Sequence, residues 1–166
     1  MKTNDNLAAA FAGESQANRK YLAYAEAAEK DGFAQVARLF RAVAAAETIH
    51  ALAHFRALGA VKGTGENLKD ALAGEKHEFE EMYPDFVATA EAEGARQALM
   101  SLKYAMEVEK VHHGLFAEAL AAVESGKDLS ELTVSVCATC GHTVLGDLPD
   151  QCPICKAKAA RYEPVA

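Results

Sequence analysis

Residues 44–55 read AAAETIHALAHF, and their apolar spacing predicts a helix with Glu47 and His50 one turn apart on the stripe that it buries. A carboxylate and an imidazole on a buried face need polar partners or a metal ion. The arrangement recurs, because EKVH at 109–112 matches ETIH at 47–50 with an offset of 62 residues. One such pair is weak evidence for a metal site, but two related pairs predict a shared function.

The repeat extends through both halves of the chain. AFAGE at 10–14 matches ALAGE at 71–75 with an offset of 61 residues. Each half is therefore predicted to be a helical hairpin, with a Glu on its first helix and Glu-x-x-His on its second. The offset has grown to 62 where Gly94 matches Gly32, and Pro84 lies in that interval, so we predict a kink or π-bulge in the third helix.

Residues 4–125 are rich in Ala, Glu, Leu and Lys, which favours helix. Glycine-containing breaks divide them into four helices, at roughly 4–30, 33–59, 66–93 and 95–125. The longest connection, VKGTG at 61–65, joins the second helix to the third. The pattern predicts an all-α four-helix bundle with a longer crossover between helices two and three.

Four-helix di-metal proteins take one Glu from each of two helices and Glu-x-x-His from each of the other two. This chain has a side chain for every position of that plan: Glu14, Glu47, His50, Glu75, Glu109 and His112. Two divalent cations would balance four carboxylates that are costly to bury alone. Oxygen ligands with two imidazoles favour iron or manganese.

The third helix has more acid than this plan requires. Glu78 lies one turn after Glu75 on the same face, so it is predicted to be a fifth carboxylate that binds the metals in one oxidation state. Glu80 and Glu81 are predicted to be solvated.

Two tyrosines lie at repeat-related positions near the predicted ligands. Tyr21 is two turns after Glu14 and Tyr83 is about two turns after Glu75, so both hydroxyls are predicted to bond ligand carboxylates or the bound oxidant. The remaining helical histidines have no repeat-related partner and are predicted to lie at the surface or beside the ligands: His54, His77 and His113, of which His113 competes with His112 as a ligand.

All four cysteines lie near the C-terminus, in two C-x-x-C pairs separated by eleven residues: Cys137, Cys140, Cys152 and Cys155. This spacing predicts a tetrahedral four-thiolate metal site. The knuckles alone leave zinc and iron open. A nearby redox-active di-metal site favours iron, because such a site needs a source of electrons.

The formal net charge of −7 argues against general binding to nucleic acid or to anionic membranes. No apolar run approaches the ~20 residues of a membrane span, and the start lacks the pattern of a secretory signal. Paired cysteines without an export signal favour metal over disulfides. We therefore expect a cytoplasmic protein.

Together, GES at 13–15, ETIH, GEKHEFEEMYP at 74–84, EKVH and CATCG…CPIC resemble the rubrerythrin family over essentially the whole chain. The resemblance implies a ferritin-like di-iron four-helix domain at residues 1–130 and a rubredoxin-like domain with one four-cysteine iron at 133–166. It also implies a peroxidase that reduces hydrogen peroxide to water in oxidative-stress defence.

By resemblance, the di-iron ligands are Glu14, Glu47, His50, Glu75, Glu78, Glu109 and His112, and Glu78 and His50 exchange on one iron. Glu78, Tyr21 and Tyr83 are the candidate catalytic residues. The resemblance also implies a homodimer, which in some members swaps helices, and an external electron donor, either a rubredoxin or an NAD(P)H-dependent flavoprotein. A ferroxidase that handles iron and a zinc-stabilised scaffold are the alternatives.

Overall fold

The computed structural model describes residues 2–165. Its helices are α1 (Lys2–Lys30), α2 (Ala34–Ala57), α3 (Thr64–His77), a π-helical segment (Glu78–Met82), α4 (Tyr83–Ala92) and α5 (Arg96–Glu124). A small sheet follows, formed by β1 (Val134–Cys137), β2 (Thr143–Leu145) and β3 (Tyr162–Pro164). The predicted class, a four-helix protein with a small C-terminal ribbon, is confirmed. The third predicted helix is the continuous run of α3, the π-helical segment and α4.

The contacts of the chain fall into two compact units, residues 1–62 and residues 63–166. The first contains α1 and α2, and the second contains every later element. Six residues, 58–63, connect α2 to α3, against three at each of the other helix connections, 31–33 and 93–95. The predicted domain boundary between residues 130 and 133 is a different division, and it stays a prediction.

In the first unit, α1 packs against α2 through small side chains. Ala25, Ala28 and Ala37 form a buried cluster, with Phe40 packed against it. Alanine lets helix backbones approach closely, so polar side chains can reach across. Asn18 on α1 donates from Nδ2 to the carbonyl oxygen of Ala44, at 2.7 Å, and to Thr48 Oγ1, at 2.8 Å. This hairpin positions Glu14 against Glu47 and His50.

The repeat is visible in how the two hairpins turn. Gly32 and Gly94 have φ of +84° and +67°, the left-handed conformation that suits glycine. The residue after each turn closes the preceding helix, because Phe33 N–H donates to Ala28 O at 2.8 Å and Ala95 N–H donates to Ala90 O at 3.0 Å. This is the Schellman arrangement of a helix C-terminus.

The predicted π-bulge is confirmed at Glu78–Met82. The backbone N–H of Tyr83 donates to the carbonyl of Glu78, five residues earlier, which is the π-helical spacing. A π-helical turn contains one residue more than an α-helical turn of the same span. The one-residue growth of the repeat offset is therefore an insertion that the third helix accommodates without breaking.

In the second unit, α5 packs against α3, the π-helical segment and α4. The ribbon is an antiparallel sheet with strand order β2-β1-β3, in which Val136 pairs with Thr143 and Cys137 with Tyr162. Strand β2 contacts α5. Within the described range, residues 2–165, no helix combines the length and apolar character needed to cross a membrane.

Candidate metal centres

The first unit brings together the N-terminal triad, which we define as Glu14, Glu47 and His50. Their ligand atoms lie within 4.8 Å of one another. His50 Nδ1 is 2.9 Å from Glu47 Oε2, and 54% of the His50 side chain is exposed, against 15% for Glu47. The i, i+3 spacing on α2 explains this pairing, because residues three apart are neighbours on a helix surface.

The second unit brings together the C-terminal triad, Glu75, Glu109 and His112, also within 4.8 Å. His112 Nδ1 lies 2.7 Å from Glu109 Oε2 and 3.9 Å from Glu75 Oε2. Glu75 Oε2 is buried without a hydrogen-bond partner among the described residues. Burial, followed by the hydrogen bond and charge of Glu109, raises the pKa of Glu75 to about 7.

Each triad suits a metal ion. A buried carboxylate oxygen without a partner is costly, and a cation removes that cost. Three oxygen and nitrogen donors per triad make six in all, with the composition of a di-iron carboxylate centre. The orphaned oxygen of Glu75 and the adjacent Nδ1 of His112 are the donor atoms that iron would contact on the C-terminal side.

The extra acid predicted on the third helix lies near the C-terminal triad. Glu78 is half-buried, and burial followed by the charge of Glu109 raises its pKa. Glu80 and Glu81 are exposed, as predicted, and pair with Lys76 and His77. The π-helical segment thus separates one acid near the site from two that face solvent.

The two predicted tyrosines have different surroundings. Burial, followed by the charges of Glu109, Glu78 and Glu75, raises the pKa of Tyr83, so its hydroxyl lies near the carboxylates. Tyr21 instead packs its ring against Tyr24 and Phe40, with ring centres 6.3 and 6.1 Å apart. Tyr83 thus lies close enough to the carboxylates of Glu109, Glu78 and Glu75 for their charges to raise its pKa, whereas Tyr21 belongs to an aromatic cluster.

The other helical histidines lie outside both triads. His113 meets the Phe79 ring edge-on at 5.6 Å, so His112 is the neighbour that joins the carboxylates. His77 pairs with Glu81 at 3.1 Å, and His54 is half-buried on α2.

The four cysteine sulfurs also lie within 4.8 Å of one another. Sγ of Cys137 is 3.7 Å from that of Cys155, and Sγ of Cys140 is 3.5 Å from that of Cys152. A tetrahedron with metal–sulfur bonds of about 2.3 Å has edges of about 3.8 Å, so the cluster fits one ion. Cys137 and Cys152 are buried, which shields the site from water.

Hydrogen bonds prepare one thiol of this cluster for metal binding. Burial would raise the pKa of Cys152, but hydrogen bonds from the Tyr162 hydroxyl and from the amides of Cys155 and Ile154 lower it to about 6. Burial raises the pKa of Cys140 instead. Only thiolates bind metal strongly, so the metal-free cluster would release its first proton at Cys152.

The ribbon also touches the C-terminal triad, a contact that the sequence did not reveal. His112 Nε2 lies 3.1 Å from Thr143 Oγ1 and 3.3 Å from the carbonyl oxygen of Gly141, the residue after Cys140. A cavity of ≈ 580 Å³ adjoins this contact, with Glu75 and His112 at its polar side and mostly apolar side chains elsewhere. Thr143 has no motif or repeat partner, so no sequence signal pointed to it.

Known proteins are similar to this chain over nearly its whole length. The rubrerythrin family model matches residues 5–120, and the model of the rubrerythrin rubredoxin-like domain matches residues 136–163. Rubrerythrin-2 of Clostridium acetobutylicum is 37% identical, with 97% of this chain and 95% of the relative covered. Rubrerythrin of Porphyromonas gingivalis is 34% identical, with 99% and 90% covered.

Solved structures of nigerythrin are similar as well. The partially reduced state of nigerythrin is 30% identical with a TM-score of 0.60, and covers 98% of this chain and 86% of its own. The family match and the three donor clusters make this chain a di-iron oxidoreductase with a further iron in its four-cysteine site. By its sequence, its fold and its metal-binding side chains, the chain belongs to the rubrerythrin family.

Proposed function

We propose that this protein is a peroxidase that reduces hydrogen peroxide to water in defence against oxidative stress. The observation that supports the proposal is the recurrence of two Glu, Glu and His triads in a chain that also holds a four-thiol cluster. A ferroxidase could use similar triads, but it has no need of a one-electron carrier. The cluster therefore favours peroxide reduction, which consumes electrons.

The reaction balances as one hydrogen peroxide, two electrons and two protons giving two waters. The two triads would hold two irons, which supply the two electrons, and the four cysteines would hold an iron that carries electrons one at a time. The sequence has no GxGxxG fingerprint followed by an acid, so an external donor is required. We propose a rubredoxin or an NAD(P)H-dependent flavoprotein reductase.

The ribbon contact supports a direct electron connection between the two metal sites. Gly141 follows Cys140 in the chain, and its carbonyl oxygen is 3.3 Å from His112 Nε2. One residue and one hydrogen bond thus join a thiolate ligand of one site to an imidazole ligand of the other.

Three residues are proposed to manage protons and the oxidant. Burial and neighbouring charge raise the pKa values of Glu78 and Tyr83. Both groups therefore hold their protons more tightly beside the triad than they would in water, and we propose that they donate a hydrogen bond or a proton to peroxide. Tyr21 is proposed for the same role at the N-terminal triad. Glu78 and His50 are proposed to exchange on one iron, and the exposure of His50 leaves it free to move.

The connection between α2 and α3 bears on how the two triads meet. Ferritin-like bundles need one long crossover, which runs the length of the bundle. A helix of 24 residues such as α2 is about 36 Å long, while the seven Cα–Cα steps from Ala57 to Thr64 span at most about 25 Å. We therefore propose a homodimer in which each di-iron centre combines the N-terminal triad of one copy with the C-terminal triad of the other.

Exposed apolar side chains on the first hairpin support this dimer. Leu39 is 62% exposed, Ile49 68% and Val36 44%. Large apolar side chains left exposed on a two-helix hairpin are typical of a surface that a partner covers. In the proposed dimer, helices α3–α5 of the second copy cover it.

Peroxide consumption with a reductase and NADH tests the proposed activity. We expect turnover in the wild type, loss of more than about tenfold in Glu78→Ala, and near-complete loss in Cys140→Ser, which removes the electron carrier. Glu80→Ala is the matched control, since Glu80 lies on the same segment but faces solvent. Full NADH-dependent turnover in Cys140→Ser would remove the electron-feed role, and unchanged turnover in Glu78→Ala would remove the role of the fifth carboxylate.

The ferroxidase alternative makes different predictions. A protein that stores iron needs a shell of many subunits, whereas the peroxidase is proposed to be a dimer. Size-exclusion chromatography separates the two assemblies. Iron oxidation that leaves a mineral core, without NADH-dependent peroxide consumption, would support the alternative.

Two further assignments complete the proposal. We propose a cytoplasmic location, because four reduced cysteines at an iron site suit a reducing compartment. We also propose that the functional domains are residues 1–130 for the di-iron centre and 133–166 for the four-cysteine iron, which agrees with the ranges of the two family matches.

A further inference from the structure

The two ring nitrogens of His112 face different partners. Nδ1 points to the carboxylates, 2.7 Å from Glu109 Oε2. Nε2 points to the ribbon, 3.1 Å from Thr143 Oγ1 and 3.3 Å from Gly141 O. The imidazole thus bridges the C-terminal triad and the first cysteine knuckle.

Hydrogen-bond chemistry fixes the direction of these contacts. The Gly141 carbonyl can only accept, so a hydrogen bond to it requires a proton on Nε2. The Thr143 hydroxyl donates to the same carbonyl at 3.1 Å, which leaves its lone pairs to accept from His112. With the proton on Nε2, the Nδ1 lone pair of a neutral imidazole is available to a metal ion.

Both acceptors are held rigidly by the knuckle. Gly141 has a φ of +86°, and a Cβ built on it would lie 3.8 Å from Val108 on α5, so the turn packs closely on the helix one turn before His112. Thr143 is paired with Val136 across the β1–β2 ladder. The N–H of Cys137 donates to His142 O at 2.9 Å, which closes the loop between the two strands.

Among the residues that the structure describes, the histidine of the N-terminal triad has no second hydrogen bond of this kind. Among the described residues, the hydrogen bond of His50 is the one between its Nδ1 and Glu47. More than half of the His50 side chain is exposed, against 25% of His112.

We propose that Thr143 is a positioning residue of the di-iron centre: with the Gly141 carbonyl, its hydroxyl holds the Nε2 proton of His112 and presents Nδ1 to the metal. The inference rests on the proposed centre, in which His112 is a ligand. If Thr143 has this role, metal binding at the helical site depends on a side chain of the ribbon.

The first test compares Thr143→Val with Thr143→Ser in the full-length protein. Val keeps the shape and loses the hydroxyl, whereas Ser keeps the hydroxyl. In anaerobic Fe(II) titrations against a competing chelator, we expect Val to weaken binding at the helical site by about 10- to 100-fold. Ser should stay within about threefold of the wild type. The visible bands of the ferric four-thiolate site verify that the ribbon is folded.

Wild-type affinity in the Val variant would overturn the proposal. So would equal losses in Val and Ser, since the hydroxyl would then not be the cause. A second measurement stands even if the Val variant does not fold. In the Zn(II)-loaded wild type, ¹⁵N NMR should find His112 protonated at Nε2, with slower proton exchange than His50. A proton on Nδ1, or exchange as fast as that of His50, would also overturn it.

These measurements are independent of turnover. A protein with hydroxyl-dependent Fe(II) affinity and no peroxide reduction would keep the positioning role and lose the proposed activity. A peroxidase indifferent to Thr143 would do the reverse.

Discussion

The N-terminal and C-terminal triads have the same three residue types at repeat-related positions, but different surroundings. More than half of the His50 side chain is exposed, whereas Nε2 of His112 is held by Thr143 and by the Gly141 carbonyl of the ribbon. The repeat thus places the same three donor residues in both halves of the chain. The elements packed around each triad make the surroundings of the two triads different. A ligand motif therefore specifies which atoms can bind a metal, while its neighbours decide how firmly those atoms are held.

The third helix adds a second difference. Glu78 lies three residues after Glu75, while the repeat-related position three residues after Glu14 is Ala17. The π-helical insertion begins at Glu78 and carries Tyr83 to its place near the carboxylates. The C-terminal half therefore holds the additional carboxylate, Glu78, and the tyrosine whose pKa the nearby carboxylates raise, which makes it the more specialised of the two.

The largest expected effect tests whether one di-iron centre combines triads from two copies of the chain. One carboxylate is removed from the N-terminal triad in one chain and from the C-terminal triad in the other. Glu47→Ala and Glu109→Ala homodimers should each lose more than about a thousandfold in turnover, because every centre lacks a ligand. A heterodimer of the two, purified through two tags, should recover about half of the wild-type activity, because one of its two centres takes both triads from intact halves.

Activity assays on the tagged heterodimer make that measurement. If each centre took both triads from one chain, every centre would lack a carboxylate and the heterodimer would be as inactive as its parents. Wild-type chains with the same two tags are the control.

Replacing the histidine of each triad tests whether the ribbon contacts of His112 strengthen its binding of iron. We expect His112→Ala to weaken Fe(II) binding about tenfold more than His50→Ala, because a clamped ligand is already oriented whereas an exposed one is not. Anaerobic titration measures both, with His113→Ala as the control beside His112. Equal losses would mean that the hydrogen bonds of His112 with Thr143 and Gly141 contribute nothing to the affinity for Fe(II).

The two tyrosines test the same asymmetry in catalysis. Tyr83→Phe should lower turnover about tenfold, since the charges of nearby carboxylates act on its hydroxyl, whereas Tyr21→Phe should lower it less than threefold. Steady-state peroxide consumption at matched iron content distinguishes them. A larger loss of turnover in Tyr21→Phe would contradict the conclusion that the C-terminal half is the more specialised for catalysis.

The smallest expected effect concerns the proton on Glu75. Its pKa is about 7 in the folded, metal-free chain against an ordinary 4.5, so the folded state binds the proton more tightly. This contribution to stability is present below pH 4.5 and is lost as the pH rises through about 7. Fe(II) binding near pH 6 should therefore release about one more proton per chain in the wild type than in Glu75→Gln.

A pH-stat titration on anaerobic addition of Fe(II) counts those protons. Thermal melts of the metal-free protein add a second readout, since the wild type should lose stability between pH 4.5 and 7 relative to Glu75→Gln. Identical proton release in the two proteins would show that Glu75 is already ionised before the metal binds.

Much of this architecture could be predicted from local patterns. Helical composition and glycine C-caps located the four helices, and a one-residue change in the repeat offset predicted the π-bulge at Glu78–Met82. The repeat also identified both triads, because a duplicated helix–helix unit conserves which side chains face each other. The two C-x-x-C knuckles were equally clear.

The rest depends on long-range packing that no local pattern encodes. Thr143 meets His112 across 31 residues of sequence, only because the ribbon packs on α5. Tyr21 and Tyr83 look equivalent in the repeat, yet one joins an aromatic cluster and the other lies near the acids. Their difference arises from the surrounding side chains and from the π-helical insertion.

The central claim is that the two triads act as one di-iron centre rather than as two separate sites. Anomalous diffraction from crystals of the iron-loaded protein tests it most directly. We expect two iron peaks about 4 Å apart, with the N-terminal triad on one side and the C-terminal triad of the partner copy on the other, and a third peak among the four cysteines. Two distant peaks, each bound by a single triad, would contradict the account.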